Sequence, residues 1–507
     1  MIASSARESL NELDYHTGLS RLQEAVISSH FMEAIARDWN LDLYGPESLL
    51  RRSLTIDDTA IDGLLVPTLV GAARRFGHER GMAAVERARL HHPLYGLKSA
   101  HAVGEAEVIA EVMFDRQFSR KAAATCSRIL VRDRIASQLE RERMVRMAIP
   151  ALPFKIKSPL KSRGDLPDLA EVSFLLSLFE IALAVETAAE QVAPDGGSLA
   201  AKFIVVSDGA RFASLANVST ATIARYHDAL EAWIARLGLG RHILVEDYRE
   251  LLLARLPQDL FAEKHRIART ARQLYTDVLG PAFDPDAMER SLALSRALEP
   301  DPEQANATGR FGSLLRSLVY TIDYRTLEAL ALPPTAKRHL YRELTARLFE
   351  PFEDDGGRSG FIAGREGLRR EMLAEVWQAT VEYMAEIKSD RDLDQDPVLV
   401  CLPGAVRWTI HAKAGQFAIA TPSVSGRIVQ PWAGAAVFRP AEKGAIRLCS
   451  YPVLGLEGAG AVPVFTSSSR DDPEPQPLFY IDREIAVEGI EGFIADLGRR
   501  LTRRRLK

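Results

Sequence analysis

The chain of 507 residues is poor in cysteine, with only Cys126, Cys401 and Cys449. Three thiols without a CxxC spacing supply neither a disulfide framework nor a zinc site. A charge excess is also missing. Its 64 Lys and Arg stand against 68 Asp and Glu, a formal net charge of -4, whereas a dedicated nucleic-acid binder is strongly basic. No apolar run reaches the ~18 residues needed to cross a bilayer. The opening MIASSARESLNELDYH lacks the apolar core of a secretory signal. A cytoplasmic protein is expected, with neither membrane nor nucleic acid as partner. Internal repeats and long low-complexity segments are absent. What is present is the mixture of a folded globular protein, 47% hydrophobic and 26% charged, long enough for about three folding units at roughly 150 residues each. The one basic run, Arg499, Arg500, Arg503, Arg504, Arg505 and Lys507, reads as a solvated, frayed tail.

Residues 1 to about 145 carry apolar residues at three-to-four spacing and are expected to be helical, as a cap or dimerisation layer. His91, His92 and His101 match no metal-ligand spacing and read as surface histidines. The character changes at Ile149, where IPALPF leads into the basic loop KIKSPLKSRGDLPD. An amphipathic helix is expected over about 168–192, with Leu169, Val172, Leu176, Phe179 and Leu183 on one stripe and Asp168 and Glu171 capping its start. KFIVV (202–206) reads as a buried strand, a helix follows at about 219–237, and HILVE (242–246) is a second strand. Together they form a βαβ unit and hence a parallel sheet. Residues 249–390 are mostly helical, broken at EPDPEQANATG and FEDDGGRSG, which read as mobile loops. From 398 the period becomes two, and short strands there are expected to close the sheet. The fold class is α/β, a Rossmann-like mixed sheet with flanking helices, preceded by a helical N-terminal region. The expected division is 1–146 and 147–507, with a helical insertion at about 250–390.

Three constellations could carry chemistry. Lys155, Lys157, Lys161 and Arg163 lie beside a helix N-terminus and would make an anion site; a solvated loop of ordinary lysines has the same composition. Ser207-Asp208-Gly209-Ala210-Arg211-Phe212 follows a strand at the end where open α/β sheets bind ligands. Asp208 could accept from an ammonium and Arg211 could fork onto a carboxylate or phosphate. The alternative is an Asx turn held by Asp208, with Gly209 supplying a positive φ. In VRWTIH (406–411), alternation puts Val406, Trp408 and Ile410 on one face and Arg407, Thr409 and His411 on the other. That polar face suits anion binding and proton transfer, or simply water at a sheet edge. Neither GxGxxG nor GxxxxGK[ST] follows the 202–206 strand, which disfavours a nucleotide-dependent transferase.

Taken in order, PALPFKIKSPLKSRGDLPDLAE, IVVSDGARFASLANVS, ILVEDY, LPGAVRWTIHAKAGQFAI and QPWAGAAVF resemble the pyoverdine/dityrosine biosynthesis family of isocyanide (isonitrile) synthases, over roughly 147–250 and 368–440. The resemblance implies a lyase-type condensation, without metal or cofactor, of the amino group of an L-amino acid, tyrosine or tryptophan, with ribulose 5-phosphate as co-substrate in secondary metabolism. It implies phosphate binding by Lys155, Lys161 and Arg163, carboxylate binding by Arg211 or Arg407, and further substrate contacts from Ser207, Phe212 and Trp432. Asp208, Glu171 and His411 would be proton carriers. Lys157 would form an imine with the sugar if cationic neighbours lowered its pKa. A downstream oxygenase and a homodimer are the protein partners this reading admits. Where the family has tryptophan followed by histidine, this chain has Trp432-Ala433. That departure leaves two alternatives, a divergent member making an N-formyl amino acid and a non-catalytic binding or scaffold protein with the same fold.

Overall fold

A computed structural model describes residues 53–91, 104–155, 162–193, 198–213, 220–274, 381–410, 413–421, 430–451, 459–470, 475–485 and 487–504, with isolated positions between them. His92 and His101, the side chain of His91, the two stretches read as mobile loops and most of the 250–390 insertion lie outside the described residues. The strands are β1 (Leu54–Ile56), β2 (Ser119–Arg120), β3 (Met144–Pro150), β4 (Ala200–Ser207), β5 (Ile243–Asp247), β6 (Val406–Thr409), β7 (Phe417–Ile419), β8 (Ala435–Pro440), β9 (Ile446–Tyr451), β10 (Val462–Thr466) and β11 (Phe479–Ile481). The helices used below are α1 (Val66–His91), α2 (Glu105–Met113), α3 (Arg128–Glu142), α4 (Leu169–Glu190), α5 (Thr220–Arg236), α6 (Tyr248–Arg255), α7 (Gln258–Leu274), α8 (381–391) and α9 (Ile490–Arg500).

The first sheet has the order β2-β7-β6-β3-β4-β5. Five of its strands run parallel and β2 pairs antiparallel with β7. Its centre is legible in the residues. Val145, Met147 and Ile149 of β3 and Phe203 and Val205 of β4 alternate onto one fully buried face, as strand geometry requires. β4–α5–β5 is the expected βαβ unit, and β3–α4–β4 is a second one.

The later strands divide. β6 and β7 extend the first sheet, but β8 and β9 join β1, β10 and β11 in a second, with order β1-β10-β11-β8-β9. The expectation that all of them close one sheet is therefore corrected. Short period-two runs specify strands but not their partners, and α4 separates the sheets, packing against β4 as well as β8 and β9.

The helix α4 is where sequence pattern misleads. It starts as read, with a capping box in which Ala170 N donates to Asp168 Oδ1 at 2.6 Å and Asp168 N to Glu171 Oε2 at 3.0 Å. It is not amphipathic, however. Every residue but Leu183 and Glu190 is buried, because α1, α2 and both sheets surround it. Gly81 of α1 allows this closeness, since a Cβ there would lie 2.7 Å from Ala184 O. By length and composition α4 could cross a membrane, yet 94% of its most apolar window is buried inside the fold.

The basic tail is also corrected. Arg503 is buried rather than solvated. Its Nε donates to Glu180 Oε1, Nη1 to Ser173 Oγ at 2.9 Å, and Nη2 to Ser173 O at 3.0 Å and Ser177 Oγ at 3.2 Å. Four polar groups on one side of an otherwise apolar helix explain the insertion, because buried charges need partners. Arg499 and Arg500 pair with Asp496 within α9, and Arg504 is exposed.

Candidate active site

In the first sheet β3 lies between β4 and β6, so the order of strands reverses there. Ligands of open α/β sheets bind beyond the carboxyl ends of the strands at such a point. Ala151–Lys155 leave β3 here, Ser207–Phe212 leave β4, Tyr248 leaves β5 and Ile410 leaves β6.

Lys155 is fully buried and its Nζ lies 2.9 Å from both Asp168 Oδ2 and Glu171 Oε2. Tyr226 of α5 donates its hydroxyl to Glu171 Oε1 at 3.3 Å. Two carboxylates thus share one ammonium. Burial pushes the Glu171 carboxyl up to about 8, and the charge of Asp168 acts the same way against the pull of Lys155. Burial works to lower the Lys155 amine, but the two carboxylates win and raise it. Lys155 therefore stays an ammonium, the opposite of what imine formation requires. Its charge is spent inside the protein, not on a solvated phosphate loop.

The turn after β4 is held by packing. Ser207 Oγ donates to Leu152 O at 3.0 Å and lies 2.8 Å from His227 Nε2. With the hydroxyl proton directed at Leu152, the imidazole is the donor, which fixes an Nε2–H. Leu152 itself takes a left-handed φ of 56°, a strained position of the kind that collects at functional sites. Gly209 is not in a positive-φ conformation, and the Asp208 side chain caps nothing, so the Asx-turn reading is corrected on both counts. Gly209 is required for space, because a Cβ there would stand 2.1 Å from Pro153 O. Asp208 is half-buried, and burial raises its carboxyl against the opposing charge of Arg211.

Arg211 is fully engaged. Nη1 donates to Asp390 Oδ2 at 2.6 Å, Nε and Nη2 to Glu386 Oε2 at 3.2 and 2.9 Å, and Nη2 also to Glu386 O at 2.8 Å. The guanidinium stacks between Phe212 and Tyr248 at 4.9 and 4.7 Å, and the Tyr248 hydroxyl donates to Asp390 Oδ1 at 2.8 Å. Lys264 of α7 lies 3.2 Å from Glu386 Oε2 and 3.0 Å from Asp390 Oδ1. Burial opposes ionisation of both carboxyls, but Lys264 and Arg211 hold them below their ordinary values. The fork expected for a substrate carboxylate grips α8 instead.

Arg407 likewise donates from Nε to Asp396 Oδ2 at 3.0 Å and from Nη1 to Trp408 O at 3.0 Å. Among the described residues it makes no hydrogen bond or ion pair to Ser207–Phe212. Val406, Trp408 and Ile410 share the buried face as read. Phe212 is buried against Tyr383 at 4.8 Å between ring centroids, Trp432 packs edge-on to Phe174 at 5.9 Å, and Arg163 is buried. Lys157, Lys161 and His411 lie outside the described residues.

Sequence reasoning missed Tyr226, His227, Tyr248, Lys264, Glu386 and Asp390. Tyr248 had a signal, since it closes ILVEDY at a strand's carboxyl end. The others sit within helices, where nothing in the pattern marks a site. Among the described residues no group of three His, Cys, Asp or Glu is placed to hold a metal ion.

The raised Glu171 carboxyl has a measurable consequence. A group whose folded value exceeds its unfolded one gives stability that is complete below the unfolded value and lost as pH rises through the folded one. For Glu171 that window runs from 4.5 to about 8. The melting temperature is expected to fall with rising pH across it more steeply in the wild type than in Glu171→Gln. Equal slopes in thermal melts would remove Glu171 as the titrating group.

Comparison with known proteins follows the same part of the chain. The sequence profile of the family described as pyoverdine/dityrosine biosynthesis protein matches residues 135–299. Among solved structures, the PvcA protein from Pseudomonas aeruginosa is similar at 19% identity and a TM-score of 0.40, over 70% of this chain and 90% of that one. No curated protein matches. The profile covers the first resembling stretch, 147–250, with Lys155, Glu171, Asp208 and Arg211, and stops short of the second. Through residues 135–299, which carry β3, β4, β5 and the turns that leave them, the chain is similar to the pyoverdine/dityrosine biosynthesis protein family.

Proposed function

We propose that the protein is an isocyanide synthase, joining the amino group of an L-amino acid, tyrosine or tryptophan, to ribulose 5-phosphate. The carbonyl carbon of the sugar becomes the isocyanide carbon and the rest of the sugar leaves. The observation that carries the reading is the buried Lys155–Asp168–Glu171 cluster at the reversal point of the family-matching sheet, with one carboxyl titrating at about 8. Condensation and elimination need a group that both takes and gives a proton near neutrality, and Glu171 has that property. The raised Asp208 carboxyl on the neighbouring turn supports a second proton carrier. His411, Lys157 and Lys161 keep the roles the resemblance implies. Arg211 or Arg407 would receive the amino acid's carboxylate only by exchanging it for Glu386 and Asp390, or for Asp396.

The test is mass spectrometry after incubation with amino acids and ribulose 5-phosphate labelled at its carbonyl carbon. An amino acid that gains the labelled carbon and loses two hydrogens is the expected product. Gain of the labelled carbon with one oxygen would identify the N-formyl branch. The runner-up is a binding protein with the same fold, supported by Ala433 where the family has histidine, and no product from folded protein would favour it over catalysis.

A further inference from the structure

Three arginines shielded from solvent meet carboxylates: half-buried Arg211 meets Glu386 and Asp390, half-buried Arg407 meets Asp396, and buried Arg503 meets Glu180. Arg120 does not. It stands on β2, paired with β7 through Ser119↔Ile419 and Arg120↔Ala418. Its Nε donates to Ile419 O at 3.0 Å and its Nη2 to Ile410 O. Ile419 ends β7, Ile410 directly follows β6, and these two strands are parallel. The guanidinium is therefore fastened across their carboxyl ends, on the same edge of the sheet as Lys155 and Asp208.

Among the described residues no carboxylate pairs with Arg120, whose two acceptors are main-chain carbonyls. Burial alone acts on this side chain, pushing it below its ordinary value with no anion to restore it. Withdrawing a cation from water without a counter-charge is costly. The two carbonyls use two of the five N–H groups, leaving both on Nη1 and one on Nη2. A planar cation oriented by main chain, with a fork left over, matches the geometry of a carboxylate or phosphate.

We infer that Arg120 is an anion receptor of the site at the sheet's carboxyl edge, taking a carboxylate or phosphate group beside the ends of β6 and β7. The inference rests on the proposed reaction only for the name of the anion, amino-acid carboxylate or sugar phosphate.

The experiment is phenylglyoxal labelling of the full chain in sodium phosphate, sodium acetate or sodium chloride at matched ionic strength, read by peptide mass spectrometry. Phosphate or acetate is expected to slow modification of Arg120 at least threefold relative to chloride, with exposed Arg504 as the control that does not change. Protection by phosphate alone assigns the sugar-phosphate end, and protection by acetate alone assigns the carboxylate. Equal labelling of Arg120 in all three salts overturns the inference. Independently, the anion-dependent rise in melting temperature is expected to shrink at least twofold in Arg120→Lys, which keeps the charge but not the fork; an unchanged rise also overturns it. Neither readout involves turnover, so absence of product in the condensation assay leaves both intact.

Discussion

Arg503→Met is expected to destabilise the fold by about 3–5 kcal/mol, because it strands a buried carboxylate. Glu180 is fully buried and its ion-pair partner is Arg503, which also satisfies Ser173 and Ser177. Replacing one member leaves an uncompensated charge in an apolar interior, whereas replacing both removes the charge and its desolvation together. The double variant Arg503→Met with Glu180→Leu should therefore recover most of the loss. Urea denaturation of the three proteins checks this. A single-variant loss below about 1 kcal/mol would place the guanidinium at the level of a surface ion pair and contradict its buried position.

Gly209→Ala is expected to cost about 3 kcal/mol, at the upper end for an overpacked site. The intruding methyl would meet Pro153 O at 2.1 Å and Pro153 C at 2.9 Å, both main-chain atoms that no rotamer change can move aside. Relief requires the β3 and β4 turns to separate, which would pull Leu152 O from Ser207 Oγ and shift Lys155, two residues beyond Pro153. The variant should lose product formation more than its stability loss alone explains. Gly240→Ala is the control, since a Cβ there meets nothing within 4 Å, and it should stay within about 0.5 kcal/mol of the wild type. Thermal melts on both variants decide the matter, and a Gly209→Ala protein as stable as Gly240→Ala would show that the two turns do not touch.

What the sequence makes legible here is local. Asp168 and Glu171 three apart announce a capping box, and it forms. KFIVV and HILVE announce strands; β4 covers the first, and β5 covers the second from Ile243 onward and runs one residue further. What it hides is who pairs with whom across distance. Arg211 carries no mark of Glu386 or Asp390, nor Arg503 of Glu180, because an arginine's sequence neighbours do not determine which carboxylate the fold brings to it. The stripe read on α4 fails for a related reason: Ser173, Ser177, Glu180 and Glu186 break the apolar pattern as solvent-facing residues would, yet each is buried. Arg120 was hidden most completely, as a single basic residue in a two-residue strand.

The pairing of β1 with β10 joins Leu54–Ile56 to Val464–Thr466, and the groups that cover α4 come from both extremes of the chain, α1 on one side and β8, β9 and Arg503 on the other. On the ribosome this separation becomes a delay. A nascent chain that has just completed α4 holds a long apolar helix with Glu180 unneutralised, and nearly all the remaining polypeptide must emerge before its last partners arrive. Contacts so far apart in sequence form slowly and leave apolar surface open to association meanwhile. Translation of this protein therefore passes through an interval in which α4, already complete, still lacks the partners that follow it in the chain.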